Sequence, residues 1–133
     1  ANTTKTRLGL IKRAIQETPA LDQKLRDQAN ALDQRLNLIL RALRGDVALR
    51  QRNENTPPAI SERVGGIARD QRLSIARPTQ THIDSYTVAA QEFAQELAKL
   101  RALVETDLVT LEKALEAVGA PYTPGRLPEW KDQ

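Results

Sequence analysis

The sequence lacks cysteine and methionine altogether, and its one histidine is His82. Without thiols, the chain has no disulfides, thiolate nucleophiles, cysteine-ligated zinc or iron–sulfur clusters, and one histidine cannot make a bis-histidine haem. Aromatic residues are only 3% of the chain, so its core must be aliphatic, which suits close helix packing better than a sheet. No uninterrupted apolar run approaches the roughly 18 residues of a membrane span. The first ten residues, ANTTKTRLGL, carry too short an apolar run for a signal peptide and no cleavage region follows. A targeting sequence, if there is one, is expected elsewhere in the protein or removed in maturation.

What is present is a chain of 133 residues, 40% hydrophobic and 28% charged. That length fits one compact domain over 1–133, which buries roughly two thirds of its unfolded surface and needs no metal or disulfide to hold it. The net charge of +3 is spread unevenly. Residues 1–77 carry 15 Lys/Arg against 8 Asp/Glu, and residues 78–133 carry 5 against 9. A basic half packing on an acidic half accounts for this. The competing reading is a basic face for nucleic acid or another polyanion.

Helix signals recur along the chain, and strand signals are missing. The spacing of Leu8, Ile11 and Ile15 predicts a first helix from about Thr4 to Glu17. Thr18-Pro19 reads as an N-cap with proline at the first helical position, opening a second helix to about Arg44. Within it, Asp22 and Arg26 stand at i,i+4, as an ion pair would. Gly45 is expected to end this helix and Asp46 to cap a short continuation through Val47 and Leu49. After the break NENTPP at 53–58, Thr56 and two prolines introduce a third helix over about 58–75. Gly65-Gly66 inside it costs roughly 2 kcal/mol against alanine, which predicts close approach of a neighbouring helix or a kink. A phosphate-binding loop is not supported, since no strand precedes the glycines and no GK[ST] follows.

The longest pattern runs from Thr79 to Val118, with Thr79 or Thr81 as its N-cap. Ile83, Tyr86, Ala90, Phe93, Leu97, Leu100, Val104, Leu108, Leu111, Leu115 and Val118 follow at steps of three or four, close to the 3.5 of a seam that faces a partner helix. Two consecutive steps of four around Val104 form a stutter. Gly119 and Pro121 end the helix. A helix of that length reaches ~60 Å, while the third spans ~27 Å, leaving ~30 Å of apolar seam to be covered. The short helix after Gly45 and the C-terminal tail are expected to share that task, with a bend near Asp107 or a second protein surface as alternatives. The tail, 119–133, is too rich in proline and glycine to be regular. Its Tyr122, Leu127 and Trp130 are expected to fold back across the bundle, or Trp130 to be offered to a partner.

Catalytic and metal chemistry finds no support in the pattern. A di-iron site needs Glu-x-x-His pairs, and the residue three before His82 is Thr79, so His82 reads as a solvated or capping residue. Ser61, Ser74 and Ser85 lie in no G-x-S-x-G turn. Glu92 with Glu96, and Glu112 with Glu116, read as solvated neighbours on a helix face rather than the carboxylate pair of a glycosidase. Arg41, Arg44, Arg50 and Arg52 form the strongest binding candidate. Cations near a helix C-terminus are favoured by the macrodipole in any case, and no aromatics interleave with these arginines as stacking platforms for single strands. No catalytic, cofactor or metal residue is therefore assigned.

Three stretches, LRALRGD at 40–46, TPPAISERVGGI at 56–67 and GAPYTPGRLPEW at 119–130, together resemble the C-terminal helical region of large bacterial sortilin-like β-propeller proteins. These are the Asp-box (BNR) repeat type often labelled glycosyl hydrolases. The resemblance implies an exported, secreted or periplasmic protein with a propeller N-terminal to this segment. The S-x-D-x-G-x-x-W type turn of such a propeller is absent here, and no functional residue carries over. The sequence thus predicts an all-α fold, an antiparallel helical bundle of about four helices with an extended tail packed on it. Its expected role is structural or interactive, with the parent propeller or a second copy as partner. The residues offered for interaction are Arg41, Arg44, Arg50, Arg52 and Trp130.

Overall fold

A computed structural model describes residues 1–18, 21–52, 54, 56–73 and 77–121. The expectations for Tyr122, Leu127, Trp130 and Ser74 lie outside them. Every regular element among the described residues is helical. The elements are α1 (Asn2–Gln16), α2 (Gln23–Arg44), α3 (Val47–Gln51), α4 (Ile60–Leu73), α5 (Gln80–Ala102), a π-helical turn (Leu103–Asp107) and α6 (Leu108–Ala117). The all-α class is thus as the sequence predicts. The chain divides into two compact units, one made of 1–36 and 102–133, the other of 37–101.

The punctuation residues act mostly where the sequence places them. Gly45, at φ +81°, ends α2, and its N–H donates to the Arg41 carbonyl at 2.7 Å. Asp46 then caps α3, its Oδ1 accepting from the N–H groups of Ala48 and Leu49. Thr79 caps α5 through its hydroxyl, which accepts from the His82 N–H. At Gly119, φ +73°, the Gly119 and Ala120 N–H groups reach back to the carbonyls of Glu116 and Leu115, the paired closure of a Schellman motif.

The opening of α2 differs from expectation. The helix begins at Gln23, and Asp22 accepts from the Lys24 N–H as its cap. Thr18 instead donates its hydroxyl to the Ala14 carbonyl, and Arg26 reaches the Thr18 carbonyl. Thr18 is therefore a terminator of α1 rather than a cap of α2, and the Asp22–Arg26 pair gives way to backbone contacts. Similarly, α4 starts after both prolines, where Glu62 accepts from the Ala59 N–H in half of a capping box.

In the first unit, α1, the first part of α2 and α6 enclose an aliphatic centre. Leu8, Ile11, Leu36, Leu103 and Leu108 are fully buried there, with Ile15, Leu32, Leu111 and Leu115 close behind. The apolar seam over 104–115 therefore packs with α1 and the first part of α2, and the share expected of the tail beyond Pro121 lies outside the described residues. The π turn sets which residues of that seam point inward. In a straight α-helix, residues five apart stand ~140° from each other. Here the Leu108 N–H bonds to the Leu103 carbonyl, an i→i−5 step, and both side chains share the core. The stutter is absorbed as one extra residue in the turn, and Leu103 replaces the expected Val104 as the core residue.

The second unit is built differently. Of the sixteen apolar residues buried among those described, only Ile39, Ala59, Ile60 and Ala89 belong to it. Its helices α4 and α5 are joined by polar contacts: Arg63 to Glu92 at 3.8 Å, and His82 to Asp70 and Gln71, both at 3.4 Å. His82 is thus an inter-helix contact rather than a solvated residue. Gly65 and Gly66 leave open space, with no atom of another element within 4 Å of where a Cβ would stand. Among the described residues no close approach is made at that pair, and α4 runs through it unbroken.

Candidate functional site

The predicted seam on α5 faces outward from Ile83 to Phe93, while Leu97 and Leu100 are half-buried. Ile83, Tyr86 and Phe93 are 49%, 58% and 47% exposed, and Ala90 is exposed between them. Helical spacing explains how an apolar stripe can miss the interior. Ala89, the buried residue of α5, and His82, Glu92 and Glu96 define its inward line. Tyr86, Ala90, Phe93 and Ile83 sit roughly 40–120° further round the helix. They flank the contact with α4 without entering it. Val64 on α4 and Leu38 on α2 are exposed in the same unit, and Leu73 is 84% exposed. Large apolar groups left exposed beside few buried ones are, among the described residues, the strongest departure from an ordinary solvated surface.

The four arginines singled out from the sequence all fall in the second unit. Arg41 and Arg44 lie in the last turn of α2 and Arg50 in that of α3, where the macrodipole favours a cation. Three of them meet carboxylates: Arg41 with Asp46 at 3.0 Å, Arg50 with Glu62 at 2.5 Å, and Arg52 with Glu54 at 3.9 Å. Arg50 also donates to the Arg44 carbonyl. The geometry makes these residues ties between α2, α3 and the start of α4 more than a cationic platform. Beside them lies an open cleft of about 340 Å³ lined by Leu38, Ala42, Leu49, Thr56, Pro57 and Pro58.

The carboxylates divide in a way the sequence did not foresee. Glu112, read as a solvated neighbour of Glu116, is 2% exposed and held by Arg7. Its partner, 105 positions away in sequence, gives no local pattern by which it could be found. Glu92 and Glu96 pair with Arg63 and Lys99. Among the described residues, no three His, Asp or Glu side chains gather as a metal would require, and no helix is long and apolar enough to cross a membrane. Arg7 with Glu112 and Arg35 with Asp107, both within the first unit, join the basic stretch of the sequence to the acidic one.

Comparison with known proteins finds no matching family, no matching curated protein and no matching solved structure.

Proposed function

We propose that this chain is a non-catalytic structural or interaction domain. In this reading it is an antiparallel bundle of about four helices with an extended tail, the C-terminal accessory part of a larger bacterial protein. It docks on a β-propeller of that protein or associates with itself. The observation that carries the reading is the outward stripe of Ile83, Tyr86 and Phe93 beside a unit that buries few apolar residues of its own. Such a surface is stabilised by being covered, and coverage by protein is what an accessory domain provides. The propeller, and export from the cell, rest on the resemblance of the 40–46, 56–67 and 119–130 segments alone.

The test is co-purification and light scattering of the chain with and without the segment that precedes it in its parent protein. A docking or self-associating domain gives a complex of defined mass. A chain that stays monomeric and binds nothing upstream contradicts the proposal. The alternative, a basic-face module for nucleic acid or another polyanion, would use Arg41, Arg44, Arg50 and Arg52. Their carboxylate partners weigh against it, and a gel shift on DNA and RNA at low salt that vanishes in Arg41→Ala/Arg44→Ala would revive it.

A further inference from the structure

We infer that the exposed face of the α4–α5 hairpin binds a second copy of this chain, with α5 meeting its own copy antiparallel about Ala90. This deepens the interaction reading by naming a partner and a surface. Between Ile83 and Ala98, the outward face of α5 is Ile83, Tyr86, Thr87, Ala90, Phe93, Ala94 and Ala98, with Leu97 half-buried at its edge. No charge interrupts it, in a chain that is 28% charged. Asp84, Glu92, Glu96 and Lys99 lie off the stripe, where Glu92 is engaged by Arg63 and Glu96 by Lys99, and Arg101, about five turns on from Ile83, stands beyond its end. A neutral face offers nothing to select a charged partner and nothing to repel its own copy.

The order of side-chain sizes points to self-pairing. Reversing α5 about Ala90 sets Tyr86 against Ala94, Phe93 against Thr87 and Ile83 against Leu97, so that aromatic groups meet small ones in both copies. Such reciprocity is what an isologous two-fold interface requires. Helix α4 extends the same surface. Arg63 against Glu92 and Asp70 against His82 set α4 and α5 antiparallel. At ~100° per residue, Val64, Gly65 and Ala68 are displaced from the inward residues Ile60 and Ile67 in the same rotational sense as Tyr86, Ala90 and Phe93 are from Ala89. For antiparallel helices those displacements fall on one side. Gly65, with nothing near its Cβ position, leaves room there for a close backbone approach.

The area decides how strong the pairing is. Two adjacent helices ~20 Å long and ~10 Å apart give a footprint of ~400 Å² before surface relief. That lies below the roughly 800 Å² per partner of a standard interface and in the range of reversible ones. The pairing is therefore expected to be weak and reversible.

Sedimentation of the full chain from low micromolar to millimolar concentration reads this directly. The expected result is a monomer–dimer equilibrium that Phe93→Glu weakens by ~100-fold, since a charge is buried unpaired on both sides of the axis. Phe93 is half exposed, so this variant keeps the monomer core. The absence of native cysteine allows a second readout. Oxidised Ala90→Cys should form a covalent dimer, while Gln95→Cys, ~140° away round α5, should not. A dimer indifferent to Phe93→Glu and uncrosslinked at Ala90 overturns the assigned surface. A chain monomeric throughout overturns self-pairing, and the broader interaction reading then stands or falls on binding to the upstream segment.

Discussion

Arg7 on α1 grips Glu112 on α6 with two hydrogen bonds, Nε to Oε1 at 2.6 Å and Nη2 to Oε2 at 2.5 Å. Glu112 is 2% exposed, yet the Arg7 side chain keeps 23% of its surface in solvent. The pair therefore joins a buried carboxylate to a cation that retains some hydration. Removing the arginine takes the Arg7 cation from a buried carboxylate, whereas removing the glutamate leaves a cation that can turn to water. Arg7→Ala should cost roughly 3 kcal/mol, and Glu112→Gln less. Replacing both residues by apolar groups of similar volume, Arg7→Met with Glu112→Leu, should recover most of the loss. Urea unfolding of the four proteins measures all three terms, and a double variant as unstable as Arg7→Ala would show that the pair contributes net stability.

The end of α2 gives a second prediction. Gly45 stands at φ +81°, and a Cβ there would meet the tip of the Arg50 side chain. The tip is flexible, so the larger cost is the backbone, and Gly45→Ala should lose about 1–2 kcal/mol. Asp46→Ala should lose ~1 kcal/mol with the cap of α3. Thermal melts of both variants check the order. A neutral Gly45→Ala would mean that α2 does not end in a left-handed residue.

A third prediction concerns Gly66. With open space around its Cβ position, Gly66→Ala should raise stability by ~1 kcal/mol through helix propensity. The sequence alone favours the opposite outcome, because paired glycines in a helix suggest a neighbour pressed against the backbone. A fall in melting temperature for Gly66→Ala in the dilute monomer would restore that reading.

How much was legible from the residues depends on the range of the interaction. Local signals were sound: Gly45, Asp46, Thr79 and Gly119 all act as end signals. Thr18-Pro19 misled because two hydroxyl or carboxylate residues, Thr18 and Asp22, compete for the same cap, and the sequence does not reveal which backbone N–H groups lie near. Periodicity showed which residues share a face, as for Leu8, Ile11 and Ile15, but not what covers that face. Ile83, Tyr86, Phe93, Leu108 and Leu111 belong to one unbroken pattern, and nothing in their spacing says that the last two are buried and the first three are not. The shift from Val104 to Leu103 follows from a backbone turn that the stutter marks without showing how it resolves. The candidate site is thus made of residues the sequence named as core, and Arg7–Glu112 was invisible because its partners are far apart in the chain.

The most direct test of the account compares Leu108→Ala with Phe93→Ala by chemical unfolding at low protein concentration. Leu108 is fully buried in the first unit and Phe93 is exposed in the second. Leu108→Ala should lose 2–5 kcal/mol, and Phe93→Ala no more than about 0.5 kcal/mol. Equal, large losses at both positions would place Phe93 in a core of the lone chain, and the outward apolar face on which the proposed interaction rests would not exist.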